Sequence, residues 1–347
     1  MKYLVKDGRY DYIETGSLVS IRENVKDIVI PSEERQIEMY PMDFEEFLWA
    51  NGQEDTMDFI RECYSSNHGL DQPLHRITMD AFRQYLAVGG MPQVVEKYVA
   101  TQDFMLADEI KRDILRLYRN DMRKHGNGYA LKIEDIFVEL PSQLQRHDKV
   151  FRLAALGENA RMRSYENAFL WLQDAMITNI AFNTTEPSIG LQRNFNRTTM
   201  KCYMSDTGLL ISHAFVPNIL ASNEIYKKLL LGKMDVNLGM IIENSVAQML
   251  RVSGHQLFFY SNNSPNDKNS RMEIDFLIPK DNLTNRHNIS PIEVKSGKNY
   301  TLNSLKKFIA KYQELLHTPI VIHDGDFRIQ DNICYLPLYM TPLLAKE

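Results

Sequence analysis

The sequence predicts an α/β chain of several domains: a partial α/β segment, a helical middle running into a two-stranded ribbon, and a compact α/β unit at the C-terminal end. Three observations predict it. Apolar residues recur at helical spacing through most of 54–177, two short strand-like runs follow at Ile177–Phe182 and Met200–Met204, and from Leu238 onward helix, strands, helix and strands succeed one another. At 347 residues the chain is long enough for two or three units that each bury a core.

The elements follow in order. Tyr10–Ile13 is a strand-like run that stops at the turn Thr15-Gly16-Ser17, and Gln36–Tyr40 is a second extended run. Pro41-Met42-Asp43 then leads into a helix on Phe44, Phe47 and Leu48. A strand this close to the start lacks the neighbours a sheet needs, so residues 1–50 are expected to be the remnant of a larger α/β unit. Helices fill 54–125, broken at Gly89-Gly90-Met91-Pro92, and a long amphipathic helix over 103–124 ends near Gly126 and Gly128. Helices around 132–140, 146–156 and 163–177, then the two strands, give the element order of a winged helix. Asn237–Ser253 is a further amphipathic helix, with Leu238, Ile241, Ile242, Val246, Met249 and Leu250 on one stripe. Strands at Leu257–Tyr260, Arg271–Ile278 and Ser290–Lys295, a helix at Thr301–Leu316, and strands at Pro319–His323 and Ile333–Leu338 complete the chain.

Composition narrows the function. The hydrophobic fraction of 44% and charged fraction of 24% are those of ordinary globular protein. No apolar run approaches the ~20 residues of a membrane helix, and the first residues lack a signal peptide's apolar core, so a cytoplasmic protein without membrane attachment is expected. Cys63, Cys202 and Cys334 stand far apart, which excludes a zinc knuckle and a disulfide framework. The net charge of −5 makes no global case for nucleic acid. Two basic stripes, Lys111, Arg112, Arg116, Arg119 and Arg123, and then Lys306, Lys307 and Lys311, read either as phosphate-facing surfaces or, more commonly, as solvated helix faces. His125, His147, His213 and His323 have no ligand-like spacing, Trp49 and Trp171 read as core, and Asp206 reads as the cap of the turn through Thr207-Gly208.

The chemistry concentrates in two strands. Alternation places Glu273 and Asp275 on one face of the first, with Met272, Ile274, Phe276 and Ile278 on the other, and places Glu293 and Lys295 together on the second. Paired with polar faces aligned, they would gather three carboxylates and an ammonium. Such a cluster suits Mg²⁺ or Mn²⁺, with the nearby lysine able to orient a nucleophile or neutralise the charge that builds on a phosphate. The plainer reading is a pair of half-exposed strands joined by cross-strand ion pairs.

Asp275 followed by Glu293-Val294-Lys295, with Glu243 in Ile242-Glu243-Asn244 on the preceding helix, resembles the PD-(D/E)xK nuclease signature. Tyr12-Ile13-Glu14-Thr15-Gly16-Ser17, Met39 to Leu48, Gly89-Gly90-Met91-Pro92 and Lys201 to Leu209 together resemble a bacterial and archaeal AAA+-type ATPase family, which joins an ATPase domain and a winged-helix-like segment to a nuclease-like C-terminal domain of unknown function. The resemblance implies an AAA+-like remnant at 1–50, a helical lid-like segment at 51–110, a winged-helix-like segment at 111–215, a connector at 216–237 and a PD-(D/E)xK-like domain at 238–347, with Glu243, Asp275, Glu293 and Lys295 as its site and Asp275 and Glu293 as its metal ligands. One departure is decisive. The only Gly-Lys pairs, Gly232-Lys233 and Gly297-Lys298, precede neither Ser nor Thr, so the phosphate-binding loop is missing and no ATP site is expected. Thr15, Ser17 and Arg35, which resemble nucleotide-facing residues of the family, are then vestigial. The expected function is a metal-dependent nuclease-like domain that acts on or binds DNA. The alternative is a non-catalytic module for nucleic acid, a protein partner or self-association.

Overall fold

The computed structural model describes residues 9–13, 15–16, 35, 37–126, 128–188, 190–215, 219–233, 237–262, 270–280, 288–297 and 299–345. Among these, regular structure starts at helix α1 (Phe44–Ala50). Its start is encoded locally. Asp43 accepts the Glu46 amide at 2.9 Å while the Glu46 carboxylate accepts the Asp43 amide at 3.0 Å, a reciprocal cap that satisfies two amides the helix leaves unpaired. Neither strand expected before it forms among the described residues: Tyr10, Ile13, Ile37 and Met39 are exposed, with no neighbouring strand to satisfy their backbone. Ser17 and Gln36 lie outside the described residues, while Thr15 and Arg35 are exposed.

Helices α2 (Thr56–Ser65), α3 (Asp71–Val88), α4 (Pro92–Thr101), α5 (Phe104–His125), α6 (Ala130–Leu144) and α7 (Met162–Asp174) build the middle of the chain. The helix expected over 146–156 shrinks to a 3₁₀ turn at Leu153–Leu156. The residues before that turn are drawn elsewhere: Val150 bridges to Lys201, and the Phe151 amide donates to Met200 O at 2.8 Å. Strands β1 (Thr178–Thr184) and β2 (Phe195–Met204) form the anticipated antiparallel ribbon, with Ile180 opposite Cys202.

Helices α8 (Thr207–Ala214), α9 (Ile219–Leu230) and α10 (Leu238–Val252) lead to β3 (Phe258–Asn262), β4 (Met272–Ile274), β5 (Phe276–Pro279), β6 (Ile289–Val294), α11 (Asn303–Tyr312), β7 (Ile320–His323), β8 (Arg328–Gln330) and β9 (Ile333–Pro337). The result is a mixed α/β architecture with two sheets, ordered β2-β1-β3-β4 and β5-β6-β7-β9-β8. Because β1 runs parallel to β3, with Phe182 opposite Phe258, the ribbon is hydrogen-bonded to the C-terminal unit across the segment expected to be a connector. Helix α10 is correspondingly buried on every side from Met240 to Leu250 rather than along one stripe.

Three of the motifs meet in one interior junction. Asp206 caps α8 by accepting the Leu209 amide at 2.7 Å, as expected, and its other oxygen accepts the Gly90 amide at 2.6 Å. Gly90 O in turn accepts the Met42 amide at 2.7 Å. A Cβ at Gly90 would meet Met42 O at 2.0 Å, and one at Gly208 would meet Val88 O at 2.4 Å, so these glycines are required by close backbone approach. The Gly-Gly-Met-Pro break is therefore more than a helix stop.

The first basic stripe is neither phosphate-facing nor solvated as a whole. Lys111 is fully buried, Arg112 pairs with Asp108 at 2.7 Å, Arg119 lies over the Phe137 ring, and Arg116 and Arg123 pair with Asp113 and Glu134. Trp171 is core as expected, but Trp49 is half exposed.

Candidate functional site

Four elements converge on a cleft of about 600 Å³ between the end of α6, with the loop that follows it, and the C-terminal unit. Its walls include Glu243 from α10, Asp275 from the break between β4 and β5, Glu293 from β6 and Lys295 just beyond it, so the structure brings all four residues singled out by the sequence to one place.

The break at Asp275 is a departure from the sequence reading. The expected single strand over 271–278 divides: β4 pairs with β3, whereas β5 pairs with β6, with Phe276 opposite Ile292. The side-chain alternation slips by one residue there. Met272, Ile274 and Leu277 pack into the cluster against α11, while Phe276 and Ile278 turn into the larger core. Asp275 occupies the slip, and its Oδ2 accepts the Val294 amide at 2.8 Å, which ties the two strands at that point.

Three residues that sequence reasoning did not assign to the site, Lys149, Lys201 and Tyr203, surround Glu243. Lys201 and Tyr203 share one face of β2 and point at α10. The Lys201 ammonium stands 3.2 Å from Glu243 Oε1, 2.8 Å from Glu273 Oε1 and 3.7 Å from Asp275 Oδ1, with its side chain only 1% exposed. The Tyr203 hydroxyl donates to Glu243 Oε1 at 2.7 Å. Lys149 reaches Glu243 Oε2 at 2.7 Å from a backbone with φ of 47°, the left-handed region that lysine seldom adopts. The bridge between Val150 and Lys201 holds that loop in place. The signal for Lys201 was legible as a lone cation inside Met200-Lys201-Cys202-Tyr203-Met204, a strand otherwise fit for a core. Lys149 carried no such signal, because its position depends on the loop.

These contacts set the charge states. Burial opposes the Glu243 charge, but Lys149 and Lys201 outweigh it and hold the carboxyl at about 2. Burial pushes Lys201 down, yet Glu243, Glu273 and Asp275 together raise it above the ordinary lysine value. Asp275 is raised by burial and by Glu243, Glu273 by burial and by Asp275, and Glu293 by burial despite Lys295 at 2.5 Å. Among the described residues Glu293 Oε2 has no hydrogen-bond partner.

A resident Mg²⁺ or Mn²⁺ would need oxygens turned toward a shared point at about 2.0–2.2 Å. Here the oxygens of Glu243, Glu273 and Asp275 already turn toward an ammonium, and Asp275 Oδ2 is taken by a backbone amide. Among the described residues no group of three or more His, Cys, Asp or Glu is disposed to hold a metal. Lys201 is thus the cation that Glu243, Glu273 and Asp275 face, while Glu293, expected as a metal ligand beside Asp275, pairs with Lys295.

Beside the cleft, and sharing Arg146, His147, Glu273 and Ser304 with it, lies an open groove of about 860 Å³ also lined by Arg152 and Arg271. Asp148 holds Arg152 against its wall at 2.8 Å.

With this geometry in view, the comparisons with known families can be placed. Residues 238–340 match a domain of unknown function, DUF4143. That segment supplies every carboxylate of the cleft together with Lys295. Residues 79–218 match a second domain of unknown function, DUF8612, and that segment supplies Lys149, Lys201 and Tyr203. The cleft is thus composed from both matched segments. No curated protein and no solved structure matches the chain. Among the described residues no helix is long and apolar enough to cross a membrane.

Proposed function

We propose that this chain binds nucleic acid without cutting it, seating the phosphate backbone in the open groove beside the cleft. The observation that carries the reading is the placement of Arg146, His147, Arg152 and Arg271 along one groove of a protein that is acidic overall. Phosphate neutralisation supplies most of the affinity of such surfaces and needs only local basic charge. The scaffold we infer is a PD-(D/E)xK-like domain, supported by Glu243 on a helix, Asp275 between strands, Glu293 on the next strand and Lys295 just beyond it, all lining one cleft. The winged-helix-like ribbon and the AAA+-like remnant complete the same reading, with no ATPase activity of its own. Charge compensation within the cleft makes binding, rather than metal-assisted hydrolysis, the activity the arrangement supports.

The test is fluorescence anisotropy of labelled single- and double-stranded DNA with the full chain across a salt series. Affinity should fall steeply with salt, and Arg146→Glu with Arg271→Glu should weaken binding by about tenfold or more and flatten the salt dependence by roughly one phosphate contact per residue. Absence of salt-sensitive binding would turn the reading toward a protein partner. Cleavage that requires Mn²⁺ and is lost in Asp275→Ala would replace it with a nuclease.

A further inference from the structure

We propose that the Lys201 ammonium is the resident cation of the carboxylate cleft, built into the chain at the point where a divalent ion would otherwise be held. Three carboxylates from separate elements, Glu243 on α10, Glu273 on β4 and Asp275 at the strand break, aim at the one nitrogen at 3.2, 2.8 and 3.7 Å. Its remaining side faces the Phe259 ring, 5.1 Å to the centroid, which gives the ammonium a second favourable surface and no route to solvent. Buried carboxylates that face one another either take up protons or share a positive charge, from a bound ion or a side chain.

A second observation supplies an oxygen that an ion could use once the ammonium is removed. Glu293, buried on the same cleft, gives Oε1 to Lys295 and has no partner for Oε2 among the described residues. Lys149 and Lys295 neutralise part of the charge from the rim, and Lys201 supplies the centre. Because β2 delivers this cation and the DUF4143 segment delivers the carboxylates, the ammonium also fastens the two matched segments together. Removing it while keeping the volume of the side chain should leave a cage of oxygens that recruits a hard divalent cation.

The inference deepens the reading of the same cleft but is tested without nucleic acid, so the two fail separately. MnCl₂ is titrated into the full-length wild-type protein, Lys201→Met and Lys201→Arg, followed by calorimetry and by the thermal unfolding midpoint. Wild type and Lys201→Arg should show no saturable binding. Lys201→Met should bind one equivalent and gain thermal stability from it, and adding Asp275→Asn should abolish that gain. Saturable Mn²⁺ binding by wild type that Asp275→Asn removes would overturn the assignment, independently of how the variant folds. A Lys201→Met chain that folds but binds no Mn²⁺, or that stays unfolded by circular dichroism at every Mn²⁺ concentration, would also overturn it, because an ion able to replace the ammonium would rescue the fold.

Discussion

Two lysines among the described residues are fully buried, and their surroundings drive them in opposite directions. Lys111, in the helical middle, donates to Ala87 O at 2.7 Å and the Tyr226 hydroxyl at 2.8 Å. Burial dominates its balance, with Asp108 the principal opposing charge, and the ammonium is pushed down to about 8. Lys201 suffers the same burial but stands among three carboxylates, which raise it instead. The difference teaches that burial alone does not decide the charge of a lysine. The number of uncompensated carboxylates within reach decides it, since Asp108 is shared with Arg112, Ser212 and Tyr226 whereas Glu273 and Asp275 depend on Lys201.

The strongest way to break the comparison is to delete each ammonium. Lys201→Met should cost about 3–5 kcal/mol in urea unfolding without added metal, because it strands buried carboxylates. If it costs no more than a core methionine swap, the carboxylates are neutral in the folded protein and the contrast with Lys111 fails.

The pH dependence sharpens the contrast next, with opposite signs. Lys111 titrates at about 8 when folded and at 10.5 as a free side chain, so between those values the unfolded chain binds the extra proton. Its unfavourable contribution is complete below pH 8 and is relieved as pH rises toward 10.5, by about 3 kcal/mol at 1.36 kcal/mol per unit. Lys201 has a folded value raised above 10.5, so its contribution is fully present below 10.5 and is lost only as pH rises through that higher value. Wild-type stability measured relative to Lys111→Met should therefore climb between pH 8 and 10.5, and relative to Lys201→Met should stay level across that window. A level Lys111 difference would place its titration elsewhere.

The smallest effect belongs to Lys111→Met at pH 7. Asp108 keeps Arg112 at 2.7 Å and the hydroxyls of Ser212 and Tyr226, so the loss should stay within about 1 kcal/mol, or the variant should gain stability. A loss above that, in chemical denaturation, would mean that Ala87 O cannot be left without its donor.

Local pattern made much of the fold legible. The end of α3 at Gly89, the ends of α5 and α10 and the Asp206 cap of α8 rest on residues that act within a few positions of themselves. The failures arise where a segment is claimed by a distant one. Residues 146–152 give up helix to lie against β2, and the strand through Asp275 changes partner in its middle. Lys111 left a basic stripe for the interior because Tyr226, 115 positions away, receives it.

The sequence by itself determined which side chains could do chemistry at the C-terminal cleft. Glu243, Asp275, Glu293 and Lys295 follow from strand alternation, one helix and a resemblance, and they share one cavity. Only the tertiary structure decided what charge sits among them. Lys201 lies 42 positions before Glu243, on a strand that joins the cleft through the parallel pairing of β1 with β3. Electrostatic energy depends on distance through space, which periodicity along the chain does not record.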